Sequence, residues 1–328
     1  MSASDLPRFC SDSAVDRRTF VRTVAGAAAL AALPGQALMA GLFSGPPRTA
    51  PAETAVGEFY RSLSESQRTI LCHPFDHELR SRINANWHIT APQIGEDFFS
   101  AAQREMIARI VRGVTSEDGY ERLTKQMDED AGGLDYFSVA MFGNPEDGPF
   151  EFELTGRHLT LRADGDSVDQ AAFGGPLVYG HGEEDPAQNL YFYQTEQANQ
   201  VFTALNSDQA AKALLKKAPA EAAVKLQGSG GTFPGVRVGD LDAAQKELVE
   251  KTLKVLMAPY READVKEAFG IIKQTGGLDA LHMAFYEQGD LNSDRKWDIW
   301  RVEGPSMVWH FRGAPHVHAY INIGVVKG

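Results

Sequence analysis

The segment that most constrains the fold is residues 314–323, in which polar and apolar residues alternate strictly. In an extended strand, successive side chains point to opposite faces. The side chains on one face are polar: His316, His318, Tyr320 and Asn322. The side chains on the other face are apolar: Val317, Ala319, Ile321 and Ile323. This pattern predicts a half-buried strand that carries two imidazoles side by side on its polar face.

The chain before this strand divides into helical and strand-like blocks. Apolar residues have helical spacing over residues 54–69, 97–130, 196–217 and 241–286. Alternation predicts strands over residues 136–142 and 150–162, and a second strand block over residues 297–325. Strands that are segregated from helices, rather than alternating with them, indicate an α+β fold. The sequence therefore predicts an antiparallel β-sheet core with segregated helical segments on its faces.

Residues 1–40 are predicted to be a twin-arginine signal peptide. Arg17 and Arg18 are followed by Phe20 and by an Ala-rich, weakly apolar run that ends near Ala40. This run is too weakly apolar, and is interrupted by too many Gly, Pro and Gln residues, to predict a membrane-spanning helix. An ordinary secretory signal and a membrane anchor remain as alternatives. We expect a periplasmic or secreted protein that engages the twin-arginine export machinery. No stable membrane insertion is expected after signal removal.

The remainder is predicted to form a flexible lead-in over residues 41–55, rich in Pro, Gly and Ala, and a single α+β domain over residues 56–328. The chain of 328 residues has a formal net charge of -12 at pH 7. Because an acidic protein repels nucleic acid, no nucleic-acid partner is expected. Cys10 lies in the signal and Cys72 is left alone, so no internal disulfide is expected in the mature chain.

A second segment with a polar face, residues 156–162, puts His158 on the same side as Thr160 and Arg162. If the two polar strand faces line one cavity, their histidines converge there and a loop histidine joins them. The candidate metal ligands are His158, His316, His318 and His181. Imidazoles without a thiolate suit copper, zinc or iron and do not distinguish these ions. The alternative is that these are solvated or hydrogen-bonded strand residues, which are common on an exposed sheet face.

Charged residues are expected to surround the predicted site, in segments that also contain three tryptophans. These charged residues are Arg157, Asp298, Arg301, Glu303 and Arg312. One interpretation is a structural ion-pair network beneath the histidines. The other interpretation is catalytic. In it, Glu303 serves as acid, base or ligand, and Arg157 or Arg312 binds an anionic group of the substrate through a two-pronged contact.

The remaining histidines and the glycine-rich segment are expected to play structural parts. His282 is placed on a helix, and His310 lies in the segment before the final strand. His73, His77 and His88 fall in loops or at helix edges. The glycines of residues 227–235 follow no strand and lack the ending of a phosphate-binding loop, so they predict a mobile surface loop or lid.

Four motifs carry a resemblance to a known family: Gly156-Arg157-His158-Leu159, Phe173-Gly174-Gly175-Pro176, Trp300-Arg301-Val302-Glu303-Gly304-Pro305 and Pro315-His316-Val317-His318. They resemble the bacterial domain-of-unknown-function family numbered thirty-five hundred, over about residues 56–325. The resemblance implies an exported protein and marks His158, His316 and His318, with Glu303 next. The resemblance implies two adjacent histidines in many members where this chain has Arg157 before His158. A ligand supplied by the first histidine of that pair would be missing here.

These features favour a metal-dependent enzyme, an oxidoreductase or a hydrolase, that acts on a small or peptide-like anionic substrate. In this interpretation, a His-bound transition metal ion with an open position lies beside Glu303. A non-catalytic periplasmic protein that binds a metal or another ligand is the alternative. The enzyme and a metal-binding protein both require that the histidines meet around one ion.

Overall fold

The computed structural model describes residues 44–168, 170–290 and 296–326. The predicted signal peptide therefore lies outside the described residues. The helices are α1 Pro51–Ser62, α2 Glu65–Leu71, α3 Ala101–Val114, α4 Glu117–Ala131, α5 Phe192–Ala204, α6 Ser207–Ala213, α7 Ala243–Met257 and α8 Glu262–Gln274. Because α1 begins at Pro51, the last five residues of the segment predicted as a flexible lead-in belong to a helix. None of the described helices combines the length and apolar composition that a membrane span needs.

The strands of the described residues form one sheet. They are β1 Cys72–His73, β2 Ser138–Gly143, β3 Phe150–Gly156, β4 Leu159–Ala163, β5 Leu177–His181, β6 Leu214–Leu215, β7 Val236–Arg237, β8 His282–Tyr286, β9 Ile299–Gly304, β10 Met307–Arg312 and β11 Val317–Ile323. The spatial order is β1-β2-β3-β4-β5-β11-β10-β9-β8-β6, and β7 pairs with β8. Only the short β1 and β6 pair in parallel. The predicted α+β class is confirmed, and the two predicted strand blocks meet because β5 pairs with β11.

The sheet has one apolar face and one polar face. Alternating residues such as Leu159, Val317 and Ala319 pack with apolar residues of the helices in the main core. On the opposite face, Tyr320 packs with Ala85 and Val224, which come from loops. The helices therefore cover the apolar face, while loops cover the polar face and enclose its histidines and charged side chains.

Two predicted helical blocks end in strands. The block over residues 196–217 becomes α5, α6 and the short β6, and the block over 241–286 becomes α7, α8 and β8. The prediction that His282 lies on a helix is therefore wrong, because His282 begins β8. A run of only five residues, His282–Tyr286, fits either the helical or the strand period, and the pairing of β8 with β9 decides between them.

Candidate metal centre

Three of the predicted ligands meet at one place on the polar face. His318 lies in β11, His316 lies just before it, and His158 lies in the two-residue turn between β3 and β4. One nitrogen from each ring lies within 4.8 Å of the others. The ring centroid of His158 lies 5.1 Å from that of His316 and 4.8 Å from that of His318. The predicted convergence of these three histidines is confirmed.

The position of His158 differs from the prediction, because this residue ends the turn rather than continuing a strand. Its backbone has φ of 55°, in the left-handed region that costs a non-glycine residue about 1 kcal/mol. Two hydrogen bonds hold it there. The His158 N–H donates to the Ala85 carbonyl over 2.6 Å, and the Gln126 side-chain amide donates to the His158 carbonyl over 3.0 Å. The surrounding structure thus fixes a strained residue whose ring enters the site.

Gly180 makes room for the rings. It pairs with His318 across β5 and β11, and the pairing of Leu159 with Tyr179 places His158 beside it on the other side. A Cβ on Gly180 would lie 2.2 Å from the Val317 carbonyl oxygen and 3.3 Å from the Cβ of His158. The absent side chain therefore lets imidazoles from β11 and from the β3–β4 turn approach each other over the strand between them.

Two carboxylates orient two of the imidazoles. Asp130, near the end of α4, accepts from His158 Nδ1 over 2.7 Å through one oxygen and from the Gly182 N–H over 2.7 Å through the other. Glu221 accepts from His318 Nδ1 over 2.9 Å and from Arg312 Nη1 over 3.0 Å. Because each Nδ1 donates to a carboxylate, the opposite ring nitrogen, Nε2, keeps its lone pair. This arrangement of carboxylate and histidine is the one that supports metal ligands in proteins.

The remaining ring nitrogens are placed for a cation. Nε2 of His316 lies 3.1 Å from Nε2 of His318 and 3.3 Å from Nη2 of Arg312. Arginine only donates, so His316 Nε2 is unprotonated and its one lone pair accepts this bond. Two unprotonated nitrogens this close repel each other, and a metal ion that takes the place of the Arg312 contact would remove the conflict. Two nitrogen ligands of tetrahedral zinc lie about 3.3 Å apart, which is close to the distance found here.

The protonation of this site favours metal binding over proton binding at neutral pH. Burial, followed by the positive charge of neighbours such as Arg312, lowers the pKa of His316 to about 4. Burial also lowers the pKa of His318. For Asp130 and Glu221, burial works in the opposite direction, but the bonds from His158 and His318 hold both carboxyl pKa values below their ordinary range. Neutral imidazoles with ionised carboxylates behind them are the form that binds metals.

Sequence reasoning missed Asp130 and Glu221. Asp130 ends an acidic run on α4 that looks like a solvated helix face, and Glu221 lies in a loop with no periodic pattern. Nothing in their spacing connects them with the histidines. Gly180, in contrast, has a visible signal, since a glycine between Tyr179 and His181 in a strand marks a place of close approach.

Arg312 Nη2 lies 3.3 Å from His316 Nε2, and Arg157 directly precedes His158 in the β3–β4 turn. Arg157 is exposed, and the described residues provide no ion pair for it. It lines an open pocket of about 390 Å³ together with Asp130 and Gly182. The pocket is lined by the cations Arg157 and Lys125 and by the carboxylates Glu129, Asp130 and Glu183.

His181 does not join the other three histidines. It lies in β5 rather than in a loop, and it pairs with Val317 on the face that the helices cover. Its Nε2 lies 2.9 Å from Glu129, and its Nδ1 accepts from the Leu190 N–H over 3.2 Å. Both ring nitrogens are therefore engaged away from the candidate metal centre.

Glu303 lies on the polar face but in a separate pocket of about 360 Å³. It accepts from the Gln227 amide over 2.9 Å and from Arg301 Nη1 over 3.4 Å. Arg301 also donates to the Ala223 carbonyl. The interpretation as a structural ion pair fits Arg301 and Glu303, whereas Arg312 pairs with Glu221 at the histidines.

The other histidines and the cysteine of the described residues lie apart from the three. His73 stacks on His77 with ring centroids 4.6 Å apart, and His88 Nε2 lies 3.1 Å from the Tyr136 carbonyl. His310 is buried in β10. Burial raises the pKa of the Cys72 thiol to about 11, as expected of a buried structural cysteine.

Comparison with known proteins gives one match. The family model described as "Protein of unknown function (DUF3500)" matches residues 47–321. This result confirms the resemblance that the four motifs predict. No curated protein matches the chain. No solved structure matches it either.

Proposed function

We propose that this chain, which belongs to the DUF3500 family, is a metal-dependent enzyme whose ion is held by His158, His316 and His318. The observation that carries the proposal is the facing pair of Nε2 atoms of His316 and His318, 3.1 Å apart, with Glu221 fixing the tautomer of His318. Three protein ligands leave a position open for a substrate or water, as in catalytic sites. A bound zinc, copper or iron ion supplies a Lewis acid, and copper or iron adds redox chemistry.

The charge of the site favours an anionic substrate. Asp130 and Glu221 carry two negative charges, which the two positive charges of Arg157 and Arg312 cancel. A divalent ion then leaves an excess of two positive charges at the histidines, and Glu129 and Glu183 with Lys125 in the adjoining pocket reduce this excess to one. In the proposed arrangement, Arg157 binds a carboxylate or phosphate of the substrate from the adjoining pocket. Asp130 and Glu221 orient the ligands, and Glu303 contributes to the neighbouring ion pair instead of the reaction.

A non-catalytic metal-binding protein is the second candidate. It is favoured by one observation, namely that both carboxylates at the histidines are already engaged with a ring nitrogen and a second donor. A general base would need to be free to take a proton. The two candidates differ in whether the bound ion exchanges a ligand with an added anion.

We further propose that the protein is exported in folded form by the twin-arginine machinery and works in the periplasm or outside the cell. Arg17, Arg18 and Phe20 support this proposal. Export of a folded protein allows metal insertion before transport. The acidic net charge of -12 supports the absence of a nucleic-acid partner.

The test is elemental analysis of protein purified after native export. We expect about one transition metal ion per chain, and loss of that ion in His316→Ala and in His318→Ala. His282→Ala is the matched control, since His282 is half-buried on the same sheet but lies in β8. Equal metal loss in all three variants, or in none, would contradict the assignment.

A further inference from the structure

We propose a second binding site, separate from the metal centre, that takes a small carboxylate with an apolar body. The site is the pocket of about 360 Å³ that Arg301 and Glu303 line on the polar face of the sheet. A pocket of this volume suits a small molecule. The proposal goes beyond the proposed function, because none of His158, His316 and His318 lines this pocket and no metal ion takes part in it.

Strands β8 and β9 form the floor of the pocket. Tyr286 pairs with Ile299, and Ala284 pairs with Arg301, so Tyr286 and Arg301 are diagonal neighbours on one face of the sheet. Diagonal neighbours with long side chains reach each other across two strands. Both residues line the pocket although they are almost fully buried, Tyr286 with 1% and Arg301 with 5% of its surface exposed. One bound group can therefore meet both side chains.

Each of these two residues has a buried donor without a partner among the described residues. The donors are Nε of Arg301 and the hydroxyl of Tyr286. The other nitrogens of the guanidinium are engaged, Nη1 with Glu303 and Nη2 with the Ala223 carbonyl, and these bonds fix its position. A buried donor that stays unpaired costs about 1–3 kcal/mol. A ligand oxygen that accepts from both donors removes that cost.

Tyr286 is suited to donate. Burial raises the pKa of its hydroxyl to about 12, so the group is protonated at neutral pH. Arg301 Nε always carries its proton. The two donors together match the oxygens of a carboxylate, whose hydrogen bonds are stronger than those of a neutral carbonyl.

The charged residues that line the pocket leave one positive charge unmatched. Arg301 and Glu303 pair with each other, with Arg301 Nη1 3.4 Å from Glu303 Oε2. Lys217 is exposed at the edge of the pocket and forms no ion pair with a described residue. A ligand with a single negative charge therefore complements the pocket.

The sides of the pocket are apolar. Four residues with apolar side chains line it: Leu215, Ala218, Pro219 and Pro234. Leu215 and Ala218 also pack against the ring of Tyr286 and its apolar neighbours on the sheet. An aliphatic or aromatic body buries its surface against these side chains, whereas inorganic phosphate would bury none. The sides thus favour an organic carboxylate over a simple anion.

The experiment is a titration with para-fluorobenzoate, followed by fluorine NMR of the probe. The neutral para-fluorobenzamide and inorganic phosphate are the comparison probes, and phosphate is tested as a competitor. We expect saturable binding of the benzoate, binding of the benzamide that is weaker by about tenfold or more, and no competition by phosphate. Because an open metal position also attracts carboxylates, the titration is repeated with His316→Ala, in which we expect the same affinity for the benzoate.

Two substitutions locate the bound probe. Tyr286→Phe removes a hydroxyl that has no described partner, so we expect a free energy of unfolding no lower than that of the natural protein and an affinity about tenfold weaker. Lys217→Gln removes an exposed charge, for which we expect a loss of about threefold. Lys216→Gln is the matched control, because Lys216 is equally exposed but does not line the pocket.

Three outcomes overturn the proposal. The first is the absence of saturable benzoate binding, and the second is an affinity that Tyr286→Phe and Lys217→Gln leave unchanged. The third is benzoate binding that disappears in His316→Ala, which would place the carboxylate at the metal centre. The metal content of the same samples keeps the two proposals apart, because a normal metal content without benzoate binding rejects the pocket alone.

Discussion

At the scale of single residues, the two carboxylates behind the histidines give the clearest prediction. Asp130→Asn and Glu221→Gln each replace an acceptor that fixes an imidazole, and we expect metal affinity to fall by about 10- to 100-fold in each. Competition with a chromophoric chelator measures this change. Glu303→Gln is the control, because Glu303 contacts Gln227 and Arg301 instead. An equal fall in metal affinity for Glu303→Gln would contradict the role assigned to Asp130 and Glu221, which is to orient the imidazoles.

A second residue-scale prediction concerns acid stability. Burial, opposed by Glu221 but reinforced by Arg301 and Arg312, lowers the pKa of His310 to about 4. Its ordinary value in the unfolded chain is about 6.5, so between these two values the unfolded state binds more protons. The stability contribution of neutral His310 is therefore present above about pH 6.5 and is lost as pH falls toward 4, by up to about 3 kcal/mol.

The measurement is urea unfolding at pH 7 and pH 5 for the natural protein and for His310→Gln, which cannot titrate. We expect the free energy of unfolding of the natural protein to fall more steeply with acid than that of the variant. Parallel pH dependence in the two proteins would show that His310 is not held neutral by its surroundings.

At the scale of elements, β5 is decisive because Gly180 lies between the strands that supply the histidines. In Gly180→Ala, the new Cβ would lie 2.2 Å from the Val317 carbonyl, so β11 must shift. We expect loss of the metal ion and a fall of about 2 kcal/mol in the free energy of unfolding. Gly230→Ala is the control, because a Cβ there meets nothing within 4 Å. Metal retention at the natural level in Gly180→Ala would contradict this account of β5.

Element types were predictable where the pattern was long and were misleading where it was short. The alternation of β11 predicted both its strand and the shared face of His316 and His318, which the structure confirms. β8 was predicted as helix because five residues with apolar positions fit either period. Its partner β9 begins at Ile299, 13 residues after β8 ends at Tyr286, and such non-local pairing leaves no local signal.

At the scale of the whole molecule, the division of the sheet into two faces explains what the sequence could and could not reveal. Alternation alone assigns His158, His316 and His318 to a polar face, and pairing of β5 with β11 brings them together. The residues that complete the site come from outside the sheet: Asp130 from α4 and Glu221 from a loop. Their positions depend on how α4 and the covering loops pack, which no periodicity encodes.

Two kinds of ion pair lie at different places on the polar face of the sheet. Arg162 pairs with buried Glu151 and Glu153 on the polar face, far along the sheet from β9, and this network has the character of a structural one. Arg312 pairs with Glu221, which also holds a candidate ligand. The sequence analysis did not predict the network around Arg162; of the charged residues that it did name, Arg301 pairs with Glu303 in β9 and Arg312 pairs with Glu221.

The most direct test of the central claim is X-ray absorption spectroscopy of the natively exported protein at the edge of the metal that elemental analysis finds. We predict a single ion with about three imidazole nitrogens at about 2.0–2.1 Å, and a further light ligand that is replaced when an anion such as azide is added. A spectrum without imidazole scattering, or a protein that carries no transition metal after native export, would contradict the account.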